Sequence, residues 1–452
     1  MASWEWLVGR TSEAPKSTSP TPTTTEASHS KYPPTPSAQH PQEGPQPLSQ
    51  GSKPPTAPPS ISNSLSFDEL RNAIQEIATD TNGDNEYQNF LDFIEDLPNM
   101  RPNEIFDKLG SHGYVAQNEA RRALSLMAYR HVQRICRIYL DNIPASELPA
   151  KSNMLLIGPT GSGKTYITEL LFRHILKLPT VLVDITTYSE TGYVGQDVMS
   201  ILTRLLFASE GNLPLAEVGV VCLDEFDKIA SGQNNAVFAG AGTTKDISGL
   251  GVQRELLKLL ESAELTVPTE FSHSSYQQHV LMSTRNIPFI ACGAFSGFKL
   301  ITQLYNQQPS IGFHNENKEQ LNHDIAVSFR QDEVDQTRHF QQYGFLPELI
   351  ARFDRIVPFK ALDEEALSSI LKRNLISAYE REFELEGFNL MIDESLLKHL
   401  VKEAIRRETG ARGLRATLSR YLEEAAFETF SSPDASNVRV SWEQGRLHVD
   451  KS

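Results

Sequence analysis

Short apolar runs alternate with stretches of helical periodicity through the middle of the chain. Strand-like runs lie at 153–157, 180–185, 218–223 and 287–293, and the clearest helical patterns lie at 118–138 and 165–178. Runs separated by helices indicate parallel strands, because each crossover between parallel strands needs a helix-sized connection. The sequence therefore predicts an α/β fold in which helices cover a parallel sheet.

Both ends of the chain depart from this alternation. Residues 11–60 are rich in Pro, Ser, Thr, Gln and Gly and hold too little apolar side chain to offset the entropy of ordering. From about residue 361 helical patterns dominate, at 364–384, 394–408 and 412–430, and two short strands follow within 437–449. We predict a disordered tail over 1–65, a short helical and acidic linker segment over 66–102, a large α/β domain over 103–360 and a smaller, mostly helical α+β domain over 361–452.

A glycine-rich loop joins the first predicted strand to the helix that follows it. It fits the pattern G-x-x-x-x-G-K-[ST], in which glycines let backbone N–H groups turn toward nucleotide phosphates without a Cβ clash. In that pattern Lys164 reaches the β- and γ-phosphates, and Thr165 ligates Mg²⁺. The sequence therefore predicts a site for ATP and Mg²⁺. Its loop residues are Gly158, Pro159, Thr160, Gly161, Ser162, Gly163, Lys164 and Thr165.

The apolar run at 218–223 ends in two carboxylates, Asp224 and Glu225. The carboxyl ends of parallel strands line the ligand crevice, so both acids are expected near the phosphate loop. We predict that Asp224 holds the Mg²⁺ shell and that Glu225 is the general base for the attacking water. This hypothesis places the two motifs on neighbouring strands. The alternative is a strand that ends in a solvated acidic turn.

Hydrolysis of ATP also needs positive charge at the transferring phosphoryl group. Two arginines are candidates: Arg352, which follows the segment GFLPELIA, and Arg412, at the start of a helix in the smaller domain. The alternative makes both of them surface arginines paired with Glu348 and Glu408, and composition alone favours that alternative.

With these motifs the sequence resembles the AAA+ unfoldases of the Clp/HslU group, most closely the ClpX family. The resemblance covers about residues 103–450 and includes YVAQ at 114–117, GYVGQD at 192–197, DEFDKI at 224–229 and GVQRELLKLLE at 251–261. It implies a homohexameric ring with ATP between subunits. By resemblance, Arg352 is an arginine finger for a neighbouring subunit's ATP, Arg412 reports the nucleotide state to the smaller domain, and Val115 lies beside the adenine.

The resemblance implies functions for two loops. Tyr193 and Val194 are expected to line an axial pore and grip polypeptide, because Tyr offers a large amphipathic contact and the flanking glycines allow movement. Ile311, Gly312 and Phe313 are expected to dock on a ClpP-type peptidase ring; exposed apolar side chains on a loop would otherwise be a solubility liability. A packing tyrosine, and a loop tip folded back on its own domain, are the alternatives.

The sequence departs from that family in three places. Cysteines of the family's N-terminal zinc-binding domain are missing, so no zinc is expected. The family's basic pore loop falls near 270–276, which reads EFSHSSY without Arg or Lys, and we therefore predict an altered substrate preference. The strand at 287–293 has no Asn at its polar sensor position, where Cys292 is nearest.

Charge and cysteine content bear on the binding partners and on the cellular compartment of the protein. The net charge is −15, which disfavours a broad surface for nucleic acid or for anionic membranes. Cys136, Cys222 and Cys292 form neither a disulfide framework nor a Cys₄ zinc site, which suggests a reducing compartment. No apolar stretch approaches the length of a membrane span, and no secretory signal is evident. We expect a cytoplasmic protein, with the mitochondrial matrix or another organelle as the alternative.

The leading hypothesis is an ATP-dependent unfoldase and translocase that unfolds tagged or unfolded protein substrates and threads them into a ClpP-type peptidase. The chain carries no evident protease nucleophile, so cleavage would belong to the partner. Three alternatives stay open: a stand-alone remodelling chaperone, an HslU-like subunit, and a nucleotide-dependent scaffold that does not hydrolyse ATP. The presence of Lys164, Glu225 and Arg352 argues against the scaffold.

Overall fold

The structure is a computed structural model that describes residues 81–189, 196–231, 248–261, 263–269, 278–306, 331–431 and 437–451. Its helices are α1 (Thr81–Glu95), α2 (Pro102–Ser111), α3 (Asn118–Tyr139), α4 (Lys164–Glu169), α5 (Ser200–Ala208), α6 (Leu213–Ala216), α7 (Ser248–Leu260), α8 (Phe298–Asn306), α9 (Gln331–Val334), α10 (Thr337–Tyr343), α11 (Pro347–Ile350), α12 (Glu364–Ile370), α13 (Ile376–Leu385), α14 (Glu394–Arg406) and α15 (Gly410–Phe430). Its strands are β1 (Met154–Ile157), β2 (Thr180–Asp184), β3 (Tyr188–Ser189), β4 (Gln196–Asp197), β5 (Val220–Asp224), β6 (Glu264–Pro268), β7 (His279–Ser283), β8 (Phe289–Gly293), β9 (Arg355–Pro358), β10 (Asn389–Ile392), β11 (Asn437–Glu443) and β12 (Arg446–Lys451).

The central sheet is parallel and has the strand order β2-β5-β8-β1-β9. The predicted α/β class is confirmed, and the four predicted strands form β1, β2, β5 and β8. The expectation that the phosphate loop and the Asp-Glu pair follow neighbouring strands is wrong, because β8 lies between β1 and β5. Apolar periodicity shows which segments are strands but contains nothing about their order.

Alternate residues of β1 face opposite sides of the sheet, and each side has its own apolar core. Leu155 and Ile157 pack with α5 and α7, whereas Met154 and Leu156 pack with α3 and α4. Every residue of β1 is buried, as expected of a central parallel strand covered by helices on both faces. This burial fixes the strand from which the phosphate loop leaves the sheet.

Helix α1 occupies part of the stretch that the sequence predicted as a short helical and acidic linker segment. Its side chains Phe90 and Ile94 are each 1% exposed, and the Phe90 ring meets the Tyr139 ring edge-to-face at a centroid distance of 4.8 Å. Helix α1 therefore contributes to the apolar core. Glu86, Asn89 and Asp92 lie on its exposed face, and the polar composition of the segment did not indicate the two core positions. The part of the predicted segment before residue 81 lies outside the described residues.

The C-terminal part is mostly helical, as predicted. Helices α12 to α15 enclose an apolar core of their own beside a small sheet. That sheet has three strands rather than the predicted two, because β10 pairs in parallel with β11 while β11 and β12 form a hairpin. Strand β10 is only four residues long and its partner lies far along the chain, so no local pattern indicated it.

Candidate nucleotide-binding site

The phosphate loop leaves the carboxyl end of β1 and enters α4. Gly161 and Gly163 adopt positive φ angles of 75° and 91°, a region that favours glycine. A cavity of about 270 Å³ opens beside the loop, and its wall includes Lys164, Asp224 and Glu225. The structure therefore brings together the residues that the sequence predicted for phosphate, metal and water. The rest of the wall is formed by Thr160, Gly161, Gly163, Thr165, Tyr166, Glu169, Gly293, Ala294, Ala411 and Arg412.

The Lys164 side chain folds over the loop that precedes it. Its Nζ donates hydrogen bonds to Gly158 O at 2.7 Å and to Pro159 O at 3.0 Å. Burial lowers the pKa of this ammonium, and the nearby Cys292 and Asp224 partly offset that effect. A buried cation with no carboxylate ion pair among the described residues is electrostatically suited to an anionic ligand.

Thr165 and Asp224, the two residues predicted to hold Mg²⁺, lie in contact. The Thr165 hydroxyl donates a hydrogen bond of 2.9 Å to Asp224 Oδ2, across the gap between the start of α4 and the end of β5. Hydroxyl and carboxylate oxygens suit Mg²⁺, which is commonly held by one or two protein oxygens together with substrate phosphates. The residues present therefore fit the predicted metal.

Glu225 follows Asp224 in a left-handed conformation, with φ 54°, and its backbone N–H donates to Asp224 Oδ1 at 2.9 Å. This local bend turns the chain away from the strand and into the short 3₁₀ helix Phe226–Ile229. The half-buried Glu225 side chain lines the cavity, and its carboxylate accepts no hydrogen bond from the described residues. The carboxylate is thus available for a water molecule at the phosphate loop.

The C-terminal part of the chain completes the cavity through the start of α15. The Ala411 N–H donates to Gly161 O at 3.1 Å, so the backbone of α15 contacts the phosphate loop directly. Arg412 is the next residue and lines the cavity with its exposed side chain. Sequence reasoning identified Arg412 but not Ala411, because a backbone contact leaves no signature in residue type.

The segment that contains Val115 connects the loop with the start of the C-terminal part. The Tyr114 hydroxyl donates to Gly163 O at 3.2 Å, and its ring stacks on Tyr166 at 6.1 Å. The Gln117 side chain exchanges two hydrogen bonds with the backbone of Lys360. Val115 itself is half-buried and is absent from the cavity wall given above.

Arg352 does not line the cavity beside the phosphate loop. It precedes β9 and therefore stands at the amino-terminal edge of the sheet, whereas the phosphate loop leaves the carboxyl edge of the adjacent strand β1. A four-residue strand separates these edges by about 13 Å. The Arg352 guanidinium forms an ion pair with Glu261 at 2.5 Å, and both side chains are close to half exposed. The alternative partner Glu348 is not the residue with which it pairs.

Two buried polar residues position these elements, and sequence reasoning missed both. Asp227 Oδ1 accepts from Ala294 N at 2.9 Å, which ties the turn after β5 to the end of β8. Gln253 is fully buried and bonds to the backbone of Ile229, Gly344 and Leu346. A glutamine among the apolar residues of the segment 251–261 was the available signal, because a buried polar group needs hydrogen-bond partners.

Three predicted segments lie outside the described residues. They are the pore-loop residues Tyr193 and Val194, the non-basic loop 270–276, and the docking residues Ile311, Gly312 and Phe313. Within the part of the chain that is described, no cluster of three or more His, Cys, Asp or Glu side chains could hold a metal ion, and no helix is long and apolar enough to cross a membrane.

The strand order, the phosphate loop and the Asp-Glu pair together define a P-loop ATPase of the AAA+ class. Residues 149–356 match the AAA domain (Cdc48 subfamily), and residues 362–440 match the C-terminal, D2-small domain, of ClpB protein. The chain is therefore an ATP-binding enzyme that hydrolyses ATP and is not itself a peptidase.

Curated relatives define the family more narrowly. The ATP-dependent Clp protease ATP-binding subunit ClpX of Azotobacter vinelandii is 34% identical over 349 residues, which cover 74% of this chain and 76% of the relative. The ClpX subunit of Treponema denticola is 35% identical, covering 72% and 77%, and that of Bacteroides thetaiotaomicron is 33% identical, covering 79% and 84%. The chain belongs to the ClpX family.

Proposed function

We propose that this protein is an ATP-driven unfoldase and translocase that assembles as a homohexameric ring and delivers protein substrates to a ClpP-type peptidase. The observation that carries the proposal is the separation of Arg352 from the phosphate loop of its own chain. An arginine at the opposite edge of the sheet reaches a phosphoryl group only if a second copy supplies that group. The curated relatives, each named as the ATP-binding subunit of an ATP-dependent Clp protease, support the peptidase partner.

In the proposed reaction, Lys164 binds the β- and γ-phosphates and Arg412 contacts the nucleotide from α15. The Glu225 carboxylate accepts a proton from the attacking water, which then adds to the γ-phosphorus as the bond to the ADP oxygen breaks. Lys164 and the neighbouring copy's Arg352 stabilise the charge that develops on the phosphoryl oxygens. Bound through Thr165 and Asp224, Mg²⁺ would neutralise part of the phosphate charge.

The contact between α15 and the phosphate loop offers a route from hydrolysis to movement. Gly161 is part of the phosphate cradle, and its carbonyl is held by Ala411 at the start of a helix that packs in the C-terminal core. Loss of the γ-phosphate would change the contacts of Lys164 and Arg412 and so displace α15. We propose that this displacement moves Tyr193 and Val194, which grip the polypeptide.

The test is degradation of an unfoldable fluorescent substrate with ATP, with and without a ClpP-type ring. We expect fluorescence loss and peptide products only when ATP and the ring are both present. Loss of fluorescence without the ring, and no gain when it is added, would instead support a stand-alone remodelling chaperone. Intact substrate despite normal ATP hydrolysis would contradict the unfoldase for that substrate and would direct the next trial to other tags, given the non-basic loop 270–276.

A substitution of Phe313 distinguishes an unfoldase that delivers substrates to a peptidase from a stand-alone remodelling chaperone. The Phe313→Ala variant should retain ATP hydrolysis and substrate unfolding but lose degradation in the presence of the ring. A Phe207→Ala variant, at an exposed phenylalanine of α5, controls for the general loss of an aromatic side chain. Undiminished degradation by the Phe313→Ala variant would contradict docking through 311–313.

A further inference from the structure

A second cavity opens at the opposite edge of the sheet from the phosphate loop. It lies where β1, β8 and β9 begin, because its wall includes Ser152, Pro288 and Asp354, each of which closely precedes one of these strands. The second half of α3 also contributes to the wall, whereas its first turns do not line the cavity. The volume is about 580 Å³, which is in the usual range for sites that bind small molecules.

The wall of this cavity is strongly basic in a chain whose net charge is −15. Arg130, Arg134, Arg137 and Lys151 line it, and Asp354 is the carboxylate among the described lining residues. His131 also lines the cavity but is neutral near pH 7, because burial lowers its pKa to about 4. Positive charge of this kind at a concave surface concentrates anions.

Lys151 is the innermost of these cations. The residue is 8% exposed, its Nζ donates one hydrogen bond to Thr284 O at 2.8 Å, and the ammonium lies 4.7 Å from the centre of the Phe289 ring. No carboxylate within the described chain forms an ion pair with it. A lysine ammonium has three donors, so two remain for a ligand. Burial lowers the pKa of Lys151 to about 7, which the nearby Asp354 only partly opposes, and an anion in contact would further favour the charged form.

The three arginines occupy one face of α3, at the spacing i, i+4 and i+7. Arg134 is held in the wall by hydrogen bonds to Asn286 Oδ1 at 3.0 Å and to Pro149 O at 2.6 Å. The guanidinium groups of Arg130 and Arg137 are exposed and make no hydrogen bond or ion pair with the residues that the structure describes. Like charges at this spacing repel each other, and a bound anion would relieve the repulsion.

We propose that this cavity binds a small organic ligand that carries at least two anionic groups, of the phosphate or carboxylate kind. One group would be bound by the buried Lys151 and the positioned Arg134, and the other by Arg130 and Arg137 nearer the opening. Charge-assisted hydrogen bonds from arginine give such contacts both strength and orientation. The site is separate from the phosphate loop of its own chain, which leaves the opposite edge of the sheet.

The test measures binding of two probes, pyrophosphate and citrate, to the full chain by titration calorimetry without Mg²⁺. A Lys164→Ala background removes the strongest phosphate contact of the nucleotide site. We expect saturable binding of at least one probe, weakened about tenfold or more by the Arg130→Ala/Arg137→Ala double variant. Pyrophosphate alone would indicate a phosphate ligand, citrate alone a carboxylate ligand, and both would indicate recognition by charge.

Arg122 provides the matched control, because it is exposed on the same helix and does not line the cavity. The Arg122→Ala variant should bind as tightly as the background protein. Failure of both probes to bind, unchanged affinity in the double variant, or an equal loss in the Arg122→Ala variant would each overturn the proposal. Since Arg130 and Arg137 donate no hydrogen bond to a described residue and repel each other, their removal should not lower the thermal unfolding midpoint, which the same samples can verify.

Discussion

A substitution of Glu225 should affect ATP hydrolysis without affecting ATP binding. We expect the Glu225→Gln variant to bind ATP normally but to hydrolyse it at least about 100-fold more slowly, because the amide cannot accept the proton of the attacking water. Nucleotide affinity and phosphate release, measured on the same preparation, distinguish the two effects. A Glu210→Gln variant, at an exposed position away from the cavity, should hydrolyse ATP at the normal rate. A wild-type rate in the Glu225→Gln variant would contradict the general-base role.

His131 should make the stability of the fold depend on pH. Its Nε2 lies 2.9 Å from Val218 O, so this nitrogen carries the proton of the neutral ring, and burial lowers the pKa to about 4. Because the unfolded chain takes up a proton near pH 6.5 and the folded chain does so only near pH 4, stability falls as the pH falls between these values. The expected loss at pH 5, relative to pH 7.5, is about 2 kcal/mol from this group.

Urea unfolding at several pH values measures this contribution. The His131→Gln variant keeps a donor for Val218 O but has no titrating group, so its unfolding free energy should change less between pH 7.5 and pH 5. His448, exposed on β12, provides the control, and the His448→Gln variant should keep the full pH dependence. Identical pH profiles for the His131→Gln variant and the unaltered chain would show that His131 does not titrate as described.

At the residue scale, the sequence predicted the groups that carry a characteristic chemical pattern. Lys164, Thr165 and Asp224 belong to motifs with fixed spacing, and the structure places them around one cavity. Tyr166 and Ala411 line the same cavity but were missed, because each contributes through its position in the fold rather than through an unusual residue type. The individual roles assigned to the site residues remain predictions.

At the scale of elements, the contact between the phosphate loop and α15 leaves no room for a side chain. A Cβ on Gly161 would lie 2.4 Å from Thr409 O, a backbone atom that cannot turn away. We expect the Gly161→Ala variant to push α15 off the loop and to weaken nucleotide binding about tenfold or more, with a loss of stability of about 1–3 kcal/mol. Binding of a fluorescent ATP analogue and the thermal unfolding midpoint test these expectations.

Gly211 provides a control that distinguishes backbone strain from the collision with Thr409 as the cause of weaker nucleotide binding. Its φ is 84°, close to that of Gly161, but nothing lies within 4 Å of the position that a Cβ would take. The Gly211→Ala variant should therefore suffer backbone strain without a collision and should bind nucleotide normally. Equal losses of nucleotide affinity in both variants would attribute the effect to strain and would remove the α15 contact from the explanation.

Individual elements were easier to predict than their arrangement. Long periodic stretches such as 118–138 reappear in the structure as helix α3, since one apolar face must cover the sheet wherever the helix lies. The position of β8 between β1 and β5, and the pairing of β10 with β11, depend on partners distant in sequence. No local pattern encodes such a partner, and this is why the neighbouring-strand hypothesis failed.

At the scale of the whole molecule, the position of Arg352 predicts that each active site is shared between copies. The Arg352→Ala and Glu225→Gln variants should each hydrolyse ATP poorly when assayed alone. When mixed in equal amounts and allowed to exchange, the rings should recover about a quarter of the normal sites, because an intact Glu225 then meets an intact Arg352 from the next copy. The measurement is ATP hydrolysis as a function of mixing ratio.

One outcome of the mixing experiment would contradict the proposal, and a second mixture provides the control. Activity that stays at the sum of the two separate variants would place both groups in the same chain and would contradict the shared site. A mixture of Glu225→Gln with Lys164→Ala provides the control, since both substitutions affect the same cavity and no mixed interface is complete. That mixture should show no recovery.

The order of strands in the central sheet also has a consequence for how the chain is made. Strand β1 pairs with β8 and β9, so it can have neither neighbour until residues 289–293 and then 355–358 have left the ribosome. Until then its unpaired backbone groups and its apolar side chains are open to other nascent chains, and the phosphate loop that follows it is not held in place. The ability to bind nucleotide is therefore gained late in synthesis, when most of the polypeptide already exists.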